Sequence, residues 1–348
     1  MKPFALFLSA VCTFFFLNGN AQSTAKDPFA YLNKISEGQN KIMQDYLAYI
    51  SAVSHGKSAK KVAQKRSELL SAVTSSRARV SHLPEFDGDT MLRYTAFNYL
   101  NMTYVVLKED YAKIMDLEEI AEQSYDNMEA YLTMQKKAGE KVEEAYAQFD
   151  KKFHAFALKN NIRIEENNTE EAKKMAKVGR VNDYYNEVYL AFFKCSKGEM
   201  YMIDATTKKD LNAIEQTKVA LQKYIGESTE KLNAIAPFEG DASFLTITKK
   251  LIEFYQSEVK DKMPIVADFM LKSEKFEKLK AAMEKKSASE RTQQDVDQYN
   301  AAVNDMNAAV NNYNKVNTEL NNTRSRLINE WNKVGAAFKD KHMPVYNK

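Results

Sequence analysis

Two short acidic phrases supply the first side chains suited to chemistry. Residues 84–90 read Pro-Glu-Phe-Asp-Gly-Asp-Thr, and residues 237–243 read Pro-Phe-Glu-Gly-Asp-Ala-Ser. Phe86-Asp87-Gly88-Asp89 falls on Phe238-Glu239-Gly240-Asp241 at an offset of 152 positions. Asp87, Asp89, Glu239 and Asp241 offer the hard carboxylate oxygens that a divalent cation prefers. Neither copy has the Asp-x-Asp-x-Asp-Gly spacing of a calcium loop. Each lies instead between a proline that ends one helix and an aspartate placed to cap the next. The phrases therefore read as joints of a duplicated fold, with glycine supplying a left-handed turn and Phe86 and Phe238 plugging the bundle beneath it. A pair of metal sites is the competing reading.

Other candidates are weaker. A helix over 181–203 concentrates Tyr184, Tyr185, Tyr189, Phe192, Phe193 and Tyr201 on a wide apolar face. Such a face packs against several neighbours, or lines a groove for a glycan or an apolar ligand. Lys57, Lys60, Lys61, Lys65, Arg66, Arg77 and Arg79 stand against Glu68 alone, which makes a solvated basic face or a contact for an anionic envelope surface. Cys195 is in phase with Val188 and Phe192 and reads as a buried, inert thiol. The histidines at 55, 82, 154 and 342 belong to no Glu-x-x-His or His-Glu-x-x-His pattern, so di-iron and zinc-protease chemistry has no support. With no nucleophile–base pair and no metal or cofactor motif in view, the sequence reads as non-enzymatic, with no cofactor.

The elements that must position these residues are helical. Residues 1–21 form an export leader: Lys2, an apolar run from Phe4 to Leu17, then Gly19-Asn20-Ala21 before Gln22. The run falls short of the roughly 20 residues a spanning helix needs, and no later segment is apolar enough to span. Losing the leader removes Lys2 alone and lowers the formal charge from +3 to +2, which gives no reason to expect nucleic acid. Cys12 leaves with it, so Cys195 has no intramolecular partner. Beyond the leader, prolines occur only at 28, 84, 237, 264 and 344, and long stretches rich in Ala, Glu, Lys, Leu and Gln run between them.

The fold class is all-α, a tandem duplication of an antiparallel helical bundle unit. Apolar spacings of three and four predict one helix from Leu32 to Val53 ending at Gly56, a second from Val62 to Val80, and a third capped by Asp89. A stripe from Ile114 to Phe149 follows and crosses Gly139 in phase. Asn168 with Glu171 resembles the capping arrangement that begins the second cycle. Beyond the joints, Leu92 falls on Phe244, Tyr99 on Leu251, Leu100 on Ile252, Met102 on Phe254 and Asp116 on Asp268. The expected domains are a bundle over 27–160, a linker over 161–169 and a second bundle over 170–345. Ser287 with Glu290 reads as the capping box of a coiled-coil-like helix over 289–341, about 80 Å long. Asn317 and Arg324 interrupt its seam, and its expected partner is a helix of the same chain.

Three resemblances rest on these residues. His82-Leu83-Pro84-Glu85 resembles the His-x-x-Glu of imelysin-like periplasmic helical proteins, which place a glycine where this chain has Val80. Asp89-Thr90-Met91 is similar to an O-glycosylation site of Bacteroidota periplasmic proteins, with Thr90 as acceptor. Asn20-Ala21-Gln22, the Lys- and Asn-rich helices and the lack of disulfides resemble exported helical surface and periplasmic proteins of Bacteroidota and leptospires. That resemblance implies a Gram-negative periplasm or cell surface and no particular site residue. The expected function is a non-catalytic envelope scaffold that binds another macromolecule. The alternative is a periplasmic protein that binds a small ligand or a metal through the 181–203 aromatics or the joint carboxylates.

Overall fold

The computed structural model describes residues 15–17, 27–110, 121–166, 169–287 and 289–346. The expected cleavage site at Ala21-Gln22, the stripe residues Ile114 and Leu117, and Asp116 and Asn168 lie outside the described residues. The chain is all-α, and among the described residues no helix is long and apolar enough to cross a membrane. A three-residue antiparallel ladder, β1 (Phe15–Leu17) with β2 (Ile164–Glu166), joins part of the expected leader to the polar stretch after residue 160.

Caps and glycines set the helix ends. Asp27 opens α1 (Pro28–Ser36) by accepting the Phe29 amide at 2.9 Å, and Pro28 occupies a first-turn position where no amide is needed. The single helix expected from Leu32 to Val53 is two: Gly38, at φ +91°, separates α1 from α2 (Gln39–Ser54). The left-handed turn brings the chain so close to α3 (Ala59–Ser81) that a Cβ on Gly38 would lie 2.4 Å from Ser76 Oγ. Gly56 ends α2 as expected, with the Lys57 amide on the Ala52 carbonyl and the Gly56 amide on the Val53 carbonyl.

After the first joint, α4 (Met91–Val105) runs into a π turn, Val106–Asp110. The next helix, α5 (Tyr125–Lys159), starts at Ser124, whose hydroxyl accepts the Asn127 amide, and it buries Gly139 in its interior. Thr169 caps α6 (Glu170–Thr207) through the Ala172 amide. Asp210 caps α7 (Leu211–Ala234), which buries Ile214, Leu221, Ile225 and Leu232 at helical spacing. The second joint leads to α8 (Ser243–Ser257), then a π turn at Glu258–Lys262, then α9 (Met263–Lys285) with Pro264 in its first turn.

The duplication is visible in the backbone itself. α4 and α8 begin and end 152 residues apart, and so do the two π turns. Burial follows the same register: Leu92 and Phe244, Tyr99 and Leu251, Leu100 and Ile252, and Leu107 and Val259 are all core. The closing helix of each bundle is in a different register. Phe156 of α5 meets Phe86 edge-on at 5.1 Å, and Phe338 meets Phe238 edge-on at 5.7 Å, which sets an offset of 182 for this helix.

That closing helix in the second copy is α10 (Gln293–His342), a 50-residue element that starts later than expected. Ser287 and Glu290 form a turn, and the reciprocal capping box is Thr292 with Asp295. α10 pairs antiparallel with α9 of the same chain: Phe269 stacks on Tyr313 at 4.3 Å, Phe276 lies near Tyr299, and Lys262 and Lys286 bond Glu319 and Asp295. The buried seam of its distal half is made of small residues. Ala302, Ala309 and Val316 are buried there at intervals of seven, followed by Leu320, Leu327, Trp331 and Phe338. Tyr299 and Tyr313 are half-buried at the margins of this seam, where they meet Phe276 and Phe269.

Spatial clustering divides the chain into two compact units: Met1–Asn186 with Lys339–Lys348, and Glu187–Phe338. The first unit ties the chain's end to α2, the residue after it and α6: the Tyr346 amide donates to Ser51 Oγ at 3.1 Å, His55 Nδ1 bonds Asp340 at 2.7 Å, and the Tyr346 hydroxyl donates to Glu171 Oε1 at 3.5 Å.

Candidate functional site

Each joint is a two-residue hairpin. Phe86 and Asp89 exchange both backbone hydrogen bonds, with Asp87 at φ +48° and Gly88 at φ +79°. Phe238 and Asp241 do the same around Glu239 at φ +50° and Gly240 at φ +84°. Two successive left-handed residues make a type I′ turn, for which Asp-Gly is a favoured pair. Helices flank the turn on both sides, and one bridged pair suffices to fix it. The cap is also displaced by one residue from expectation. Thr90 and Ala242 occupy the N-cap positions, while the Asp89 and Asp241 carboxylates accept the Met91 and Ser243 amides at 2.8 Å. One oxygen of each aspartate thus serves the helix start. Among the described residues no group of three or more His, Cys, Asp or Glu side chains is arranged to hold a metal ion.

Most of the 181–203 aromatics belong to the cores. In the first unit Tyr184 and Tyr185 are buried, and the Lys339 ammonium lies 3.6 Å from the Tyr185 ring centre. Burial pushes that lysine down to about 8. In the second unit Tyr189, Phe192 and Phe193 are buried, with Phe192 stacked on Trp331 at 4.1 Å. Trp331 in turn donates to Thr248 Oγ1 at 2.9 Å. Tyr201 alone of the named aromatics is exposed. Cys195 is buried with its thiol donating to Ser228 Oγ, and burial pushes it up to about 11.

The basic face divides in two. Lys57, Lys60 and Lys61 are exposed. Lys65 pairs with Glu68, Arg66 donates to the Leu107 carbonyl in the first π turn at 2.8 Å, Arg77 covers the Tyr104 ring, and Arg79 holds the Glu37 carbonyl. His82 bonds the Ala78 carbonyl and is exposed, as is Glu85. Thr90 is half-buried at the edge of an open groove formed with Met91 and Tyr94.

The site that sequence reasoning missed lies in the second unit. Glu199 of α6 and Glu258, the first residue of the second π turn, are each 2% exposed. Arg324 of α10 bonds both, with Nε 2.5 Å from Glu199 Oε1 and Nη2 2.7 Å from Glu258 Oε1. Asn321 fixes the remaining edge of the guanidinium at 2.7 Å. Two buried acids thus share one guanidinium, no N–H or O–H group among the described residues donates to Glu258 Oε2, and the Glu199 carboxyl is its hydrogen-bonding neighbour. Burial, and then the neighbouring Glu199, push the Glu258 carboxyl up to about 9. A group whose folded pKa is raised holds its proton longer in the native state. The triad's contribution to stability therefore falls as pH rises from the ordinary 4.5 through about 9. The available signal was the repeat register. Positions 199 and 258 fall on Leu47 and Val106, and Arg324 falls on Val142, all three apolar and buried in the first copy.

In comparisons with protein-family models, with curated proteins and with solved structures, nothing matches this chain.

Proposed function

We propose that this protein is a non-catalytic, exported component of a Gram-negative cell envelope whose helical scaffold binds another macromolecule. The observation that supports this best is the α9–α10 hairpin. Its closing helix has 50 residues against 35 in the first copy. Its outer surface is rich in amides, with Asn300, Asn304, Asn307, Asn311 and Asn314 all exposed. Such a face exchanges hydrogen bonds with a partner without demanding a particular charge. The leader read in residues 1–21 supports export, and the resemblance to helical envelope proteins of Bacteroidota and leptospires agrees with it. The ligand-binding alternative has less support, because most of its aromatics are packed in cores and its joint aspartates serve helix starts. An open groove of about 530 Å³ in the second unit, floored by Ile225, Leu232 and Ile252, contains none of the named candidates.

Cross-linking in the native envelope tests the proposal, with wild type compared against a variant carrying Asp at 304, 307, 311 and 314. A defined partner captured by wild type and lost by the variant is expected, with the exported chain starting near Gln22. An identical capture pattern from both proteins, or an exported chain that retains Met1, would overturn it.

A further inference from the structure

The molecule's most unusual chemistry is the acid pair in the second unit, and the envelope proposal makes no use of it. The first copy shows that the architecture does not require charge there. Leu47, Val106 and Val142 occupy the corresponding positions, are at most 1% exposed, and support the same helix ends and the same π turn. The second copy replaces all three with ionisable groups, so what it gains is not the fold.

Charge balance indicates what it gains. One guanidinium neutralises one carboxylate, and a second carboxylate, 2% exposed like the first, would leave a net negative charge largely removed from water. The groups around Glu258 offer no further cation. Glu199 comes from α6 and Arg324 from α10; Tyr255, one turn earlier on α8, is a buried phenol that its burial and Glu199 hold in the neutral form. From α7, which packs against the π turn, Ile225 and Leu232 are buried, and its Glu227 is paired with Lys194. Within the π turn Lys260 is exposed, and Lys262 bonds Glu319. A proton is the species that completes the balance.

We propose that Glu199, Glu258 and Arg324 form a proton-binding site, in which one proton shared by the two carboxyls holds the second π turn closed and its release loosens that turn. The step is a simple dissociation: the O–H bond of the carboxylic acid breaks, the electron pair stays on oxygen, and the proton passes to solvent. The turn is the element that responds because Glu258 belongs to it twice over. Its carbonyl accepts the Met263 amide in the i to i+5 bond that defines the turn, and its side chain bonds Arg324. A charge forced on that side chain strains both attachments, so local opening that admits water becomes less costly.

Two readouts on the intact protein test this. The first is the titration of glutamate side-chain carboxyl carbons by NMR, with assignment through Glu258→Gln and Glu199→Gln. One carboxyl should stay protonated at neutral pH and titrate near 9, and that transition should vanish in Glu258→Gln. The second is amide hydrogen exchange at residues 258–263, corrected for the intrinsic pH dependence of exchange. Protection should fall at least tenfold across the same range in wild type and stay flat in Glu258→Gln. If both carboxyls ionise in the ordinary acid range, or if protection falls equally in Glu258→Gln, the proposal is wrong. Should Glu258→Gln fail to fold, the wild-type titration decides, with Glu199→Gln supplying the assignment.

Discussion

The two π turns begin at matching positions and are steadied by guanidinium groups in different ways. In the first, Arg66 reaches across from α3 to a backbone carbonyl, Leu107, while the side chain at the head of the turn is the buried Val106. In the second, Arg324 comes from α10 and holds the side chain at the head, Glu258, together with Glu199. The backbone geometry is the same and the interior is opposite. A π turn inserts one residue into a helix and costs regular hydrogen bonding, so its survival in both copies marks it as part of the scaffold. The triad occurs in one copy only and is a specialisation built on that scaffold. Buried ion clusters of this kind seldom add stability over apolar side chains of similar size.

The largest expected effect comes from breaking the triad on one side. Arg324→Met should destabilise the protein by about 3–5 kcal/mol in urea unfolding, because two buried acids lose their cation. Val142→Ala, at the matching position, removes only two methyl groups and should cost less. Converting the second copy to the first, with Glu199→Leu, Glu258→Val and Arg324→Val together, should be neutral or stabilising by about 1–4 kcal/mol. That variant should also lose the pH dependence worked out above, whose steepest slope is about 1.4 kcal/mol per pH unit. A strongly destabilised triple variant would show that the triad is structural after all.

Gly38 sharpens the comparison from another side. Its counterpart at the 152 offset is Leu190, in the middle of the unbroken α6, so only the first copy breaks its opening helix. Gly38→Ala should cost about 2–3 kcal/mol, combining the φ of +91° with the clash against Ser76. The smallest effects belong to the joints. Asp89→Ala and Asp241→Ala should each cost about 1 kcal/mol, with no dependence on calcium or magnesium. Gly88→Ala and Gly240→Ala should cost a similar ~1 kcal/mol from backbone conformation alone, since a Cβ there meets nothing within 4 Å. A cation-dependent rise in wild-type Tm that either aspartate variant abolishes would turn the joints back into metal sites.

What the sequence made legible was whatever repeats along it. Apolar spacing located the helices, the two acid-Gly-Asp phrases located the joints, and the phase of Cys195 with Val188 placed the thiol inside. The π turns were hidden because one extra residue shifts a stripe by less than its own width. The break at Gly38 was hidden because the apolar rhythm resumes in phase on the other side. The triad was hidden for a different reason. Its members lie 66 and 125 residues apart, and each alone looks like a polar interruption in an apolar seam. Only when the copies are aligned does an acid standing in an apolar column become a signal, and the third column needs the shifted register of the closing helix.

That shifted register also says something about reach. The 30 residues separating the 182 offset from the 152 offset lie in the α9–α10 hairpin, where Ala302, Ala309 and Val316 repeat every seven residues. A paired arm with this period has a built-in unit of length. Removing seven residues from each strand should retract its tip by about 10 Å and leave the seam in phase, whereas removing two would turn the following side chains by about 200°, onto the opposite face. The span of this protein is thus adjustable in discrete steps, independently of the bundle to which the arm is attached.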